Sequence, residues 1–145
     1  AECGHNARFG SRMGLTADAR FGEQCLGFIG TASEPISVAE LTDRVQRLSG
    51  REPTCIEGDG RPLARLAWCT GGAQSYFEAA IAAGADAFIT GELSEPQAHL
   101  ARETGVAFIA CGHHASERYG AQALGEHLAT RFGIEHLYIE IDNPA

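Results

Sequence analysis

The chain has 145 residues, of which 44% are hydrophobic and 21% are charged, and its formal net charge is −8. This composition is typical of one globular domain with a substantial core, and it excludes a disordered acidic tail or a low-complexity segment. The acidic balance disfavours nucleic acid as a partner, and because all 11 basic residues are arginine, a lysine Schiff base and a P-loop are excluded.

The N-terminal third contains few regular patterns. A short helix is predicted over residues 6–13, and a short apolar strand over residues 25–29, between two glycines. Ser37 and Glu40 form a capping-box pattern, which predicts a helix from there to about residue 48, with Gly50 as its end.

From residue 63 onward, strands and helices alternate. The predicted strands are residues 64–69, 87–90, 106–111 and 137–141, and the predicted helices are residues 74–83, 96–103 and 116–132. Short connections between alternating strands and helices are typical of right-handed βαβ units. We therefore predict an α/β fold with a mostly parallel sheet, as a single region over residues 1–145.

The cysteines and the apolar runs indicate the cellular environment. Five cysteines without a close pair argue against a disulfide framework and a zinc ribbon, and those in apolar stretches, such as Cys69 and Cys111, are predicted to be small buried side chains. No signal peptide is visible, and the longest apolar run, residues 106–111, is far shorter than the roughly 20 residues that span a bilayer. We expect a cytoplasmic protein with no membrane partner.

Three of the predicted strands end in loops of unusual composition, at residues 69–74, 90–95 and 111–117. Ligands of parallel sheets bind beyond the C-terminal ends of the strands, near the first turn of the following helix. If the three strands are neighbours, all three loops face one crevice.

The third of these loops offers metal ligands. His113 and Glu117 are four residues apart, so that both side chains can reach one point, and imidazole with carboxylate suits zinc, manganese or iron. His114 is either a further ligand or turned away from the site. The alternative is that Glu117 is only a charge near a helix start and that His113 only packs in a loop.

The other two loops are less specific. Glu92 follows a strand end, and the sequence leaves four roles open for it. It is either a general base, a metal ligand, a hydrogen-bond partner of a ligand histidine or only a carboxylate at the start of a helix. The glycines after Thr70 either let backbone amides approach an anion or form a tight turn.

Four stretches together resemble one known family. They are AWCTGGAQ at residues 67–74, DAFITGELSE at residues 86–95, GHHASER at residues 112–118 and IDNPA at residues 141–145. In order and spacing they resemble the GTP cyclohydrolase 1 type 2 homolog family, also called the NGG-interacting-factor-three-like proteins. The resemblance extends over nearly the whole chain, with Ala73 at a position where close relatives carry glycine.

The resemblance implies a two-lobed α/β fold, a site for two divalent metal ions and assembly into ring-like homohexamers. It implies that His113 and Glu117 are metal ligands and that a His-His pair and an aspartate of the N-terminal half complete the site. Those other ligands are not in this sequence. The resemblance therefore implies that the chain corresponds to the C-terminal part of a family member, without the N-terminal lobe.

These observations lead to two hypotheses of function. The first is a metal-dependent hydrolase that acts on a nucleotide-like or phosphoester small molecule, with His113 and Glu117 on the metal and Glu92 as a catalytic residue that handles protons or orients a ligand. The second is a non-enzymatic ring-forming scaffold or regulatory binding protein, in agreement with the presence of only two of the expected ligands.

Overall fold

A computed structural model describes residues 2–141 and residue 143, and every structural statement below refers to them. The strands are β1 (Ala19–Phe21), β2 (Gly27–Ile36), β3 (Thr54–Ile56), β4 (Leu63–Trp68), β5 (Ala87–Thr90) and β6 (Ala107–Ala110). The α-helices are α1 (His5–Arg12), α2 (Val38–Ser49), α3 (Phe77–Ala82), α4 (Glu95–Thr104) and α5 (His113–Phe132). Two short 3₁₀ turns cover Glu23–Cys25 and Gln74–Tyr76.

The described strands form one mixed sheet in the order β1-β2-β4-β5-β6-β3. β4, β5 and β6 run parallel at its centre, whereas β1, β2 and β3 are added antiparallel on the two sides. Every residue of β5 and β6 is buried, as is typical of parallel strands with both faces covered. The α/β fold with a parallel core of βαβ units is confirmed.

Alternate residues of the central strands supply two separate hydrophobic cores. On one face, Ile89 and Ile109 pack with Phe9 of α1 and Val45 of α2. On the other face lies an aromatic cluster of Phe21, Phe77, Phe88 and Phe108, in which the Phe88 ring lies 5.8–6.1 Å from the other three rings. The sheet is therefore held between two layers, and its C-terminal strand ends are fixed from both sides.

The structure confirms the start and the end that Ser37 and Gly50 predict for α2, and it shows similar capping contacts at α4. The Ser37 hydroxyl accepts a hydrogen bond from the Glu40 backbone N–H at 3.1 Å, and Gly50 ends α2 in the left-handed conformation. In the same way, the Gln97 side chain accepts a hydrogen bond from the Ser94 backbone at the start of α4, which ends at Gly105.

The N-terminal strands differ from the prediction. The strand predicted at residues 25–29 begins at Gly27 and continues to Ile36, and Cys25 lies in a 3₁₀ turn before it. Gly30 does not end the strand. It is required because a Cβ at this position would lie 2.1 Å from the carbonyl oxygen of Thr16. The sequence does not predict β1 and β3, because edge strands of three residues are too short to show an alternating pattern of apolar and polar residues.

The strand predicted at residues 137–141 is wrong. Residues 134–141 have no regular secondary structure, and the apolar side chains of Leu137, Ile139 and Ile141 are exposed. The segment contacts α5 through Glu140, which pairs with His114 and Arg118, and not through a sheet edge. Alternating apolar residues form a strand only where a neighbouring strand accepts their backbone hydrogen bonds.

The helices of the described part of the chain are too short or too polar to cross a bilayer.

The thiols of the described cysteines are expected to differ widely in reactivity. Cys111 is fully buried, and burial raises the pKa of its thiol to about 12, whereas Cys25 is exposed. Because only the thiolate reacts, we expect a disulfide reagent at about pH 8 to modify Cys25 rapidly and Cys111 at least about 1000-fold more slowly. Mass-spectrometric mapping of the labelled peptides measures both rates. Cys25→Ser should remove the contribution of this thiol to the fast phase, and labelling of Cys111 in that phase would contradict the expectation.

Candidate metal-binding site

The loops after β4, β5 and β6 meet at one edge of the sheet, as predicted from the alternation of strands and helices. The Gly91 backbone N–H donates to the Gly71 carbonyl at 3.0 Å, and the Gly112 N–H donates to the Gly91 carbonyl at 2.9 Å. A Cβ on Gly91 would lie 2.7 Å from both the Gly71 oxygen and the His113 Cα, so the loops are in direct backbone contact. Adjacent parallel strands therefore bring side chains from three loops within reach of each other.

His113 and Glu117 share one face of a helix. α5 begins at His113, three residues before the predicted start, because Gly112 adopts a φ of +96° that turns the chain sharply into it. The four-residue spacing then places His113 Nε2 3.2 Å from Glu117 Oε2, and both side chains remain partly exposed. The structure thus brings the two predicted ligands together with their donor atoms accessible.

Glu92 contacts the other nitrogen of the same imidazole. Its Oε1 lies 2.6 Å from His113 Nδ1, and its Oε2 accepts a hydrogen bond from the Gln74 amide at 3.2 Å. A carboxylate at Nδ1 keeps the proton there and leaves the Nε2 lone pair free for a metal ion. Among the roles considered for Glu92, this geometry favours the hydrogen-bond partner of a ligand histidine. No spacing pattern in the sequence indicates the contact of Gln74.

These contacts shift the ionisation of both groups. The hydrogen bond from His113 holds the pKa of the Glu92 carboxyl below its usual value, although desolvation opposes it. The same bond raises the pKa of His113, with a further contribution from the Glu117 carboxylate and against the effect of desolvation. The site is therefore a place where positive charge is stabilised.

Gly71 lies directly below the side chains of His113 and Glu117. It has a φ of +73°, and its N–H donates to the Ser116 hydroxyl at 2.9 Å. A Cβ at Gly71 would lie 2.3 Å from Glu117 Oε1 and 3.0 Å from His113 Nε2. The space beside both donor atoms is thus open only because this residue has no side chain.

His114, the neighbouring histidine, takes part in another contact. Its Nε2 lies 2.9 Å from Glu140 Oε1, and the same carboxylate is 3.4 Å from the Arg118 guanidinium. Of the two possibilities that the sequence left open, the structure therefore favours a His114 that does not act as a ligand. The contact fixes the C-terminal segment as one wall of a cavity of about 520 Å³ that also borders Glu92 and Glu117.

The donor set fits a divalent ion in part. One imidazole nitrogen and one carboxylate suit zinc, manganese or iron, and the open floor at Gly71 leaves room beside them. Among residues 2–141 and 143, however, no group of three or more His, Cys, Asp or Glu side chains is arranged to hold a metal. A divalent ion held by His113 and Glu117 would therefore need further ligands from outside the described residues.

The comparison with protein families decides the identity of the fold. The family model of Duf34/NIF3 (NGG1p interacting factor 3) matches residues 1–144. The chain belongs to the Duf34/NIF3 family. The resemblance found in the four sequence motifs is thereby confirmed.

The curated Duf34/NIF3 relatives are longer than this chain. A GTP cyclohydrolase 1 type 2 homolog of Pseudomonas aeruginosa is 46% identical over 147 residues, which cover 99% of this chain and 58% of the relative. A protein of the same name from Neisseria meningitidis is 44% identical and covers 98% of this chain and 57% of the relative. The chain thus spans less than two thirds of the length of these relatives.

Solved structures show the same fold. Protein ybgI, described as of unknown function, superimposes with a TM-score of 0.93 at 39% identity, over 99% of this chain and 58% of that one. TTHA1606 from Thermus thermophilus has a TM-score of 0.86 at 24% identity, with 99% and 57% covered, which supports the fold alone.

Proposed function

We propose that the chain contributes two ligands, His113 and Glu117, to the divalent-metal site of a hydrolase that acts on a nucleotide-like or phosphoester substrate. The observation that carries the proposal is the His113 imidazole, which lies between the Glu92 and Glu117 carboxylates above the side-chain-free floor of Gly71. The name GTP cyclohydrolase 1 type 2 homolog, which the relatives carry, favours a nucleotide as the substrate class.

Each residue has a separate role in this proposal. His113 Nε2 and the Glu117 carboxylate hold the cation, and a divalent ion in that place supplies a Lewis acid for hydrolysis. Glu92 holds the proton at His113 Nδ1 and thereby orients the ring, while Gln74 keeps the second Glu92 oxygen engaged. Glu92 therefore acts on the reaction through His113.

We further propose that the missing ligands lie in the part of a full-length family member that has no counterpart in this chain. We also propose that the complete protein is a homo-oligomer. About two fifths of each relative has no counterpart here, since the chain covers 58% and 57% of the two relatives compared. Metal sites with two protein ligands are rare, and three or four are usual. A second metal ion, which the resemblance implies, would need those additional ligands as well.

The test of the proposal is metal binding by single variants. We expect His113→Ala and Glu117→Ala each to weaken Zn²⁺ or Mn²⁺ binding by more than about 100-fold, because loss of a direct ligand exceeds the 10–100-fold effect of outer-shell changes. Titration calorimetry measures the affinity, and elemental analysis measures the bound metal.

α4 provides a matched control. Glu95 and His99 are the same two residue types at the same four-residue spacing, with their donor atoms 3.9 Å apart, but both side chains are largely exposed. Replacing both with alanine should leave metal affinity unchanged. Unchanged metal content in both His113→Ala and Glu117→Ala would contradict the proposal.

The non-enzymatic scaffold remains the second candidate, since the described residues supply fewer than three ligands. The two candidates differ in turnover. Hydrolysis of a nucleotide or phosphoester that requires added manganese or zinc and decreases in Glu92→Gln would support the enzyme. Metal binding without any metal-dependent turnover would support the scaffold.

A further inference from the structure

A second cavity borders the candidate metal-binding site and is lined largely by residues from the N-terminal part of the chain. Its volume is about 340 Å³, within the range of small-molecule sites, and Glu117 forms part of its wall. The remaining wall includes Asn6 of α1, Arg20 of β1, Phe28 of β2 and Leu26 just before it, together with Cys69 and Thr70 of the loop after β4. The four N-terminal residues among them do not contribute to the metal-binding site described above.

Arg20 brings the positive charge of a guanidinium to the wall of this cavity. Its guanidinium carbon lies 3.4 Å from the centroid of the Phe28 ring, a cation–π contact that holds the guanidinium plane in place. Within residues 2–141 and 143, no carboxylate or carbonyl accepts a hydrogen bond from the Arg20 guanidinium, whereas the Arg20 backbone belongs to the β1–β2 ladder. The nearby carboxylate of Asp18 is engaged by Arg65 at 2.5 Å and by Thr31 at 3.1 Å.

An arginine held in this way is suited to an oxyanion. Its N–H groups point outward in the plane of the guanidinium, so that two of them can donate to two oxygens of one phosphate or carboxylate. Stacking on Phe28 reduces the side-chain freedom that binding would otherwise remove. Because the chain as a whole carries a net charge of −8 and repels anions, a guanidinium without a carboxylate partner at a cavity would attract an anion to that place specifically.

The rest of the cavity wall combines apolar side chains with the polar side chains of His5, Asn6 and Thr70, and hydrogen bonds hold it in place. Leu26 is half-exposed, and its carbonyl accepts a hydrogen bond from the Asn6 amide at 2.8 Å. The Asn6 side-chain oxygen accepts one from the Thr70 backbone N–H at 2.7 Å. Asn6 thus connects the apolar wall to the loop that carries Gly71, and the cavity keeps its position relative to Glu117.

We propose that this cavity binds the substrate through an oxyanion, a phosphate in the first instance, held by Arg20, with the uncharged part of the molecule against Leu26 and the edge of Phe28. The Glu117 carboxylate in the same wall repels an anion, so the anionic end lies at Arg20 and the uncharged end faces Glu117. The inference deepens the proposed function and rests on it, since it names the group that anchors the substrate beside the metal ligands.

The test compares guanosine monophosphate with guanosine, both titrated into the chain by calorimetry in the presence of a metal chelator. We expect the nucleotide to bind about tenfold or more tightly than the nucleoside, because only the nucleotide offers the oxyanion. Arg20→Gln should abolish this difference, and Arg20→Lys, which keeps the charge without the planar fork, should retain part of it. Arg102→Gln, which removes an exposed arginine of α4, is the control and should leave the difference unchanged.

Guanosine with a linked carboxylate in place of the phosphate distinguishes the two oxyanions. Equal affinity for nucleotide and nucleoside in the unaltered chain would overturn the proposal, as would a difference that persists in a folded Arg20→Gln variant. The chelator makes the two proposals separable. If the nucleotide does not bind through Arg20, the metal affinities of His113→Ala and Glu117→Ala still test the proposed metal site. If those variants bind metal normally, nucleotide binding that depends on Arg20 still supports the oxyanion site.

Discussion

Gly71→Ala is expected to eliminate metal binding at the proposed site. The new Cβ would lie 2.3 Å from Glu117 Oε1 and 3.0 Å from His113 Nε2, so that both ligands must move from their present positions at once. The single-ligand variants remove one donor each, whereas this substitution displaces both. Calorimetric titration with Zn²⁺ or Mn²⁺ should therefore give no more heat than buffer alone.

The control for this variant is Gly60→Ala. Gly60 also has a φ of +73°, but a Cβ there would have no neighbour within 4 Å. Both substitutions should cost about 1–2 kcal/mol of stability through the left-handed backbone, measured by urea unfolding. Only Gly71→Ala should lose the metal. A Gly71→Ala protein that binds metal as tightly as Gly60→Ala would show that the ligand pair lies elsewhere.

Phe88→Ala is expected to cost about 3–5 kcal/mol of unfolding free energy. Phe88 is fully buried on β5 and contacts the rings of Phe21, Phe77 and Phe108, so that truncation leaves a cavity in the centre of one core layer. Against a typical total of about 5–15 kcal/mol, such a loss is large. Urea unfolding followed by circular dichroism measures it directly.

Phe132→Ala is the matched substitution on the surface. Phe132 is the last residue of α5, and its side chain is 63% exposed, so its removal should change the unfolding free energy by no more than about 0.5 kcal/mol. Equal urea midpoints for the two variants would contradict the assignment of Phe88 to the core.

The parts of the fold that could be predicted are those with local causes. Apolar runs between turn residues identify the parallel strands, and Ser37 and Ser94 mark the starts of α2 and α4 because a hydroxyl can satisfy free backbone N–H groups there. Edge strands depend on a partner far away in the chain. β1 and β3 form because β2 and β6 accept them, while residues 137–141 alternate correctly and have no strand beside them.

The same distinction applies to the site. The spacing of His113 and Glu117 is a local property of a helix and could be read from the sequence, although their function as ligands stays a prediction. The contact of Gln74 with Glu92 and the position of Arg20 and Glu117 in the wall of one cavity depend on how strands are ordered in the sheet. No residue pattern near Gln74 or Arg20 contains that information.

The position of both proposed metal ligands on a single turn of α5 has a mechanical consequence. Because the backbone hydrogen bonds of one helix fix the separation of His113 and Glu117, small movements of the sheet or of the surrounding loops shift the pair as one rigid unit. What such movements alter is the distance from this unit to Glu92 on the neighbouring loop. Helix α5 thus sets the separation of His113 and Glu117, whereas the loop that carries Glu92 sets the orientation of the His113 ring. The sequence of that loop can therefore vary while the separation of the two side chains stays constant.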